Sequence, residues 1–136
     1  MIQILDNPSL KAAALYIGLL TLLGLVLALN VVRQRYKARV SMGTGGNEEL
    51  ELAIRAHGNF VEYVPFGLAL LIALALLGAS QRNIDALGTS LFVGRIFHAL
   101  GLIGLMKVSL GRGLGMLLTW GSLIFGSIAV IVAALA

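Results

Sequence analysis

The sequence predicts an all-α fold, an integral membrane four-helix bundle, and three observations predict it. Of the 136 residues 59% are hydrophobic and only 12% are charged, whereas soluble domains carry about 25% charged residues. The apolar residues gather into runs near the 20 or so positions that a helix needs to cross hydrocarbon. The ionisable residues inside those runs recur at helical spacing. A soluble fold of this length would bury only about two-thirds of its surface, too little interior for so many aliphatic side chains. Lipid is the solvent that accepts them.

The first helix is expected over residues 10–40. Residues 10–32 are apolar apart from Lys11 and Asn30, Pro8 and Ser9 are suitable starting residues, and residues 33–40 prolong the helix out of the membrane. The run Ala28-Leu29-Asn30-Val31 offers no small-x-small cleavage pattern, so this helix is expected to stay in the mature protein. Gly43-Thr44-Gly45-Gly46 marks the break that follows. A second helix is expected over 47–79, with Glu48, Glu49 and Glu51 in its first turns, where carboxylates favour the helix dipole. At about 1.5 Å per residue it is roughly 48 Å long and outreaches the hydrocarbon. Pro65 lies inside it and frees the carbonyl of Val61, which predicts a bend. After a short turn a third helix is expected over 84–108, then a tight glycine-rich loop over 109–113 and a fourth helix over 114–134. Glycines inside the helices, such as Gly94, Gly101 and Gly126, permit close backbone contact.

The net charge of +4 comes from ten Lys and Arg against six Asp and Glu. Arg33, Arg35, Lys37 and Arg39 crowd one junction between apolar runs, the pattern of a membrane-flanking loop. No nucleic-acid partner is expected. Arg33, Arg35, Lys37, Arg39, Lys107 and Arg112 lie on one side and Lys11 and Arg82 on the other, which puts loops 1 and 3 in the cytoplasm and both termini outside. The chain has no cysteine, so it offers no disulfide, thiolate nucleophile or sulfur metal site. Its histidines, His57 and His98, lack HExxH spacing, and no metal is expected.

The informative residues are Arg55, His57, Asn59, Glu62 and Tyr63 in the second helix and Arg95 and His98 in the third. Ionisable groups in a membrane face a bundle interior, a partner or an aqueous cavity. Arg55, Asn59 and Glu62 fall on one helical stripe, and Arg95 and His98 share a face of theirs. At about 1.5 Å per residue Glu62 lies roughly 25 Å from the end of its helix, and Arg95 and His98 about 20 and 24 Å from the start of theirs. Asn30 and Arg112 join the same cytoplasmic-side zone. The blander readings are that Glu62 and Arg95 form a buried ion pair fixing helix register, that His98 is a satisfied core histidine, that His57 faces a lipid headgroup or another subunit, and that Tyr63 is an interface anchor. A pocket of several arginines, an asparagine and one glutamate would suit a small anionic, zwitterionic molecule. Its aliphatic wall would suit an apolar co-substrate from lipid.

The segment ELAIRAHGNFVEYVPFGL, residues 51–68, resembles the second-helix signature of the MAPEG superfamily, membrane-associated proteins in eicosanoid and glutathione metabolism. Arg55, Ala56, Asn59, Glu62, Tyr63 and Pro65 match its RAxxNxxEYxP core, and GRIFHALG around Arg95 and His98 is similar to bacterial members. The resemblance covers essentially the whole chain. It implies a homotrimer in the bacterial inner membrane, with periplasmic termini and glutathione sites between subunits that open toward the cytosol. It implies that Arg35, Arg55, Asn59, Glu62, Tyr63, Arg95 and His98 bind glutathione as co-substrate. Arg112 would stabilise the thiolate, with Lys107 as second choice. The implied activity is that of a glutathione transferase or peroxidase acting on lipophilic electrophiles, with the glutathione, the lipophilic small molecule and membrane lipid as partners. Where some eukaryotic members carry tyrosines on the third helix, this chain has His98 and Leu102, a departure that bears on transferase activity more than on glutathione binding. Two alternatives stand beside it: a non-catalytic binding or scaffold protein of the same fold, and a small proton-coupled multidrug transporter.

Overall fold

The computed structural model describes residues 6–103 and 108–136, and they form four helices. The first, α1 (Pro8–Ala38), is capped by Asn7, whose side chain accepts from the backbone N–H of Ser9 at 2.9 Å and of Leu10 at 3.3 Å. Its 31 residues end at Ala38, and the capping Arg39 takes a left-handed conformation with φ 54° and returns its N–H to the carbonyls of Arg35 and Tyr36. The second, α2 (Glu48–Leu76), is capped by Asn47, which accepts from Leu50 N–H at 2.8 Å, and it continues as α-helix through Pro65. Gly78, with φ 79°, makes the turn that follows, where a residue with a Cβ would be strained. Ser80 then caps α3 (Gln81–Leu102), which accordingly starts at Gln81 rather than at residue 84 and closes at Leu102 rather than at 108.

The fourth helix, α4 (Val108–Leu135), corrects the expected loop over 109–113, because those residues are helical. Gly111 in that stretch and Gly115 one turn further on serve packing, while Gly113 has open space beside it. A Cβ on Gly111 would stand 3.0 Å from Cα of Gly101, and one on Gly115 would stand 2.5 Å from the backbone nitrogen of His98. Glycines on both partners let two backbones approach to a distance that any side chain would forbid.

Three of the four helices, α1, α2 and α4, are long and apolar enough to cross a membrane. The expectation of four such helices is met in length but not in hydropathy by α3, which carries Arg82, Asp85, Arg95 and His98. The arrangement gives the physical reason. α3 packs on α1, α2 and α4, while α1 and α4 do not touch among the described residues. A helix surrounded by protein need not be as apolar as one that faces lipid.

Two apolar clusters fill the interior. One, around Leu20, Phe60, Leu91 and Leu102, lies toward loop 1; the other, around Ala13, Leu71, Leu74 and Ile84, lies toward the turn between α2 and α3. At that second end Ser9 Oγ donates to the carbonyl of Ala79 at 2.7 Å and pins the start of α1 to the turn.

Candidate functional site

Arg55, Asn59, Glu62, Tyr63, Arg95, His98 and Arg112 come together where α2, α3 and α4 meet. On α2, Asn59 and Tyr63 are one turn apart and face α3, because Ala56, Phe60, Val64 and Gly67 are the buried stripe of that helix and these two lie at its flank. Arg55 and Glu62 lie further round and are exposed on the single chain. On α3, Arg95 and His98 are buried, at 2% and 6% exposure.

Arg95 is the centre of the arrangement. Its Nη1–H donates to Asn59 Oδ1 at 2.7 Å and more weakly to the Asn59 carbonyl at 3.5 Å, and its Nη2–H donates to Met116 Sδ at 3.4 Å. The guanidinium carbon lies 5.8 Å from the centre of the Tyr63 ring, within cation–π reach. Its Nε is buried without a protein partner. One side chain thus ties α3 to α2 and α4 at a single level.

The Glu62–Arg95 ion pair is not formed. Ion pairs among the described residues join Lys11 to Asp6, Lys37 to Glu49 and Arg55 to Glu51. Helix phase is the reason: Asn59 reaches Arg95 first, and Glu62 turns to the outer side of α2. Arg55 is held by Glu51, one turn before it, at 3.2 Å.

Beside Arg95 lies a groove of about 320 Å³ lined by Ile54, Arg55, Gly58, Asn59, Glu62, His98, Leu102 and Arg112. A second hollow of about 430 Å³ shares Asn59, His98 and Arg112 with it and adds Gly113 and Met116. The structure therefore brings Arg55, Asn59, Glu62, His98 and Arg112 to one groove. Arg95 and Tyr63 sit behind its wall and do not line it. Arg112 stands on the second turn of α4, exposed, and with Met116 four residues later it makes one helical face toward Asn59. Lys107 lies outside the described residues.

Arg35 is elsewhere. Its Nη1 donates to the carbonyls of Ser41 at 3.3 Å and Gly43 at 3.1 Å, so within one chain it braces its own loop and does not line the groove. His57 does not line it either. Among the described residues no three His, Asp or Glu side chains are placed to hold a metal ion. Sequence reasoning missed Met116, because a helix expected to start at residue 114 hides its one-turn relation to Arg112.

Comparison with known proteins gives a consistent result. The model of the MAPEG family matches residues 13–132. Curated relatives include the protein named inner membrane protein YecN from Escherichia coli strain K12, 38% identical over 112 residues, which are 82% of this chain and 84% of the relative. The protein of the same name from the O6:H1 strain CFT073 matches with the same identity and coverage. No solved structure matches the chain.

Proposed function

The chain belongs to the MAPEG family, and on that premise we propose that it is a glutathione-binding protein of a bacterial inner membrane that activates the thiol for attack on lipophilic electrophiles. The observation that carries this reading is the meeting of Arg55, Asn59, Glu62, His98 and Arg112 on one groove. Two guanidiniums and a carboxylate suit a small zwitterion: arginine takes carboxylates through paired N–H groups, and Glu62 accepts from an ammonium. In a homotrimer a neighbouring copy would bring the end of its α1, and with it Arg35, against this groove and cover Glu62 and Arg55 from lipid.

The chemistry follows from charge. A thiol with an ordinary pKa of about 8.5 is mostly protonated at neutral pH, and a nearby guanidinium favours the thiolate. Arg112, exposed in the groove and not engaged in any ion pair among the described residues, is the group for this. The thiolate then forms a C–S bond to an electrophilic carbon of a partner drawn from lipid, as the leaving group departs with the bonding pair. With a hydroperoxide it takes the outer peroxide oxygen, the O–O bond breaks and the alkoxide is protonated to an alcohol. A second glutathione converts the resulting sulfenic acid to glutathione disulfide and water. Asn59 and Arg55 hold the donor, with Arg95 supporting Asn59 from behind and the Tyr63 ring beside the Arg95 guanidinium.

A second reading, a non-catalytic binding protein of the same fold, is favoured by one observation: Leu102 lines the groove and offers no hydrogen-bond donor there. The transporter alternative wants an acidic pocket for cationic cargo, and a lone Glu62 between Arg55 and Arg112 does not provide one.

Titrating the detergent-solubilised protein with glutathione, while following thiolate absorbance, tests the proposal. Saturable growth of the thiolate signal is expected, followed by its loss when an electrophile is added. Saturable binding with no thiolate signal would support the binding-protein reading, and no binding would end both.

A further inference from the structure

Arg95 offers its neighbours two donor edges, and the chain fills only one of them well. Nη1–H goes to Asn59 at 2.7 Å. Nε–H and Nη2–H point together from another edge of the planar guanidinium, as a fork. On that fork Nη2 reaches Met116 Sδ at 3.4 Å, and Nε has no partner among the described residues although the side chain is 2% exposed. A thioether sulfur is a weak acceptor, and an unmet N–H in the interior is costly. The fork is matched to one good oxygen acceptor placed beside the sulfur.

Met116 is the residue able to supply that oxygen. It stands one turn after Arg112 on α4, is half-buried, and lines the hollow of about 430 Å³ together with Asn59, His98, Arg112 and Gly113. Arg95 does not line that hollow. The methionine side chain therefore joins a space that an apolar molecule from lipid would enter to the guanidinium behind its wall.

We infer that Met116 is an oxidation site and that Arg95 is the group that holds its oxidised form. A sulfur lone pair attacks the outer oxygen of a lipophilic hydroperoxide, and the O–O bonding pair leaves with the alkoxide. The alkoxide takes the proton of the S–OH cation and departs as the alcohol. Sulfur is oxidised by two electrons to the sulfoxide, and the hydroperoxide is reduced. Arg112, in the same hollow, supplies positive charge for the alkoxide as it develops. The sulfoxide oxygen then accepts from Nε–H and Nη2–H together and leaves the Nη1 bond to Asn59 in place. Oxidation thereby fastens α4 to α3 beside Arg112. The step needs a hydroperoxide in the hollow but no glutathione, so it stands or falls apart from the thiol chemistry.

The test oxidises the full chain in detergent with cumene hydroperoxide, without glutathione, and reads oxygen uptake at each methionine by peptide mass spectrometry. Met42, 85% exposed, is the reference. Met116 is expected to gain one oxygen while the helical circular dichroism is unchanged. A Met116 that stays reduced after Met42 is fully converted would overturn the site. Thermal unfolding tests the role of Arg95. A core methionine ordinarily loses stability on oxidation. Here the midpoint shift on oxidation in wild type, less the shift in Met116→Leu, is expected to be a rise of roughly 3 °C. The subtraction cancels oxidation at other methionines, and a zero or negative difference would refute the inference. Met116→Gln gives a check without oxidant, since its amide oxygen offers the fork an acceptor. Its midpoint should lie above that of Met116→Leu, a swap of similar volume with no acceptor. An equal or lower midpoint would overturn the inference, whatever oxidation does elsewhere in the chain.

Discussion

A guanidinium buried on a helix inside a bundle must have its charge met by the chain, and at Arg95 most of that duty falls on one amide. Asn59 Oδ1 is the shortest acceptor, while Met116 Sδ and the Tyr63 ring are weaker partners. Asn59→Leu should therefore destabilise the protein by about 3–5 kcal/mol, the usual cost of stranding a buried charge. Detergent thermal unfolding would show it as a lower midpoint, and Asn59→Leu with Arg95→Met should recover much of the loss. An unchanged midpoint in the single variant would mean that Arg95 is satisfied some other way. Arg112 stands in the opposite situation, exposed and free to turn toward a ligand. Replacing it by Ala should lower the conjugation rate about 100-fold, the scale for removing one stabilising donor, while glutathione still binds. A rate equal to wild type would remove Arg112 from the chemistry. Both roles begin with residue type, yet the spacing alone does not separate a buried brace from a surface donor.

The pairing of α3 with α4 rests on glycine. A Cβ on Gly115 would meet backbone atoms of His98 and Gly94, neither of which can swing aside, and one on Gly101 would stand 2.7 Å from the backbone nitrogen of Arg112. Gly115→Ala should cost about 1–3 kcal/mol and weaken glutathione binding, because parting these helices widens the groove between Asn59, His98 and Arg112. Gly121→Ala on the same helix meets nothing within 4 Å and should stay within about 0.5 kcal/mol. Equal effects from the two would show that helix propensity, not contact, is being measured. The same glycines explain where the sequence misleads. Gly111 reads as part of a turn because glycine serves turns and close packing alike, and only the partner helix, with Gly101 against it, tells which. The helix starts are easier to read: Pro8 and Glu48 open α1 and α2 because a helix end makes local demands.

For the whole molecule the question is how the exposed groups of α2 are covered. Glu62 and Arg55 face outward on the single chain, and a carboxylate and a guanidinium at bilayer depth are not left against hydrocarbon. Light scattering in detergent is expected to give a homotrimer. A monomer that binds glutathione as tightly would contradict the intersubunit site. Topology is open to a clean measurement because the chain has no cysteine. Thr44→Cys should react with an impermeant reagent only from the cytoplasmic side and Gln81→Cys only from the periplasmic side. The reverse pattern would invert the orientation drawn from the basic loop.

Composition and periodicity alone determined the solvent and the four helices, because each depends on residues within one segment. The resemblance at residues 51–68 pointed to the family. Tertiary structure decided the pairing. It gave Arg95 to Asn59 and Met116 instead of Glu62, set Arg35 against its own loop, and carried α4 back to Val108 so that Arg112 stands on a helix. Those outcomes depend on how far each helix is rotated and how closely its neighbour approaches, and contacts between segments set both.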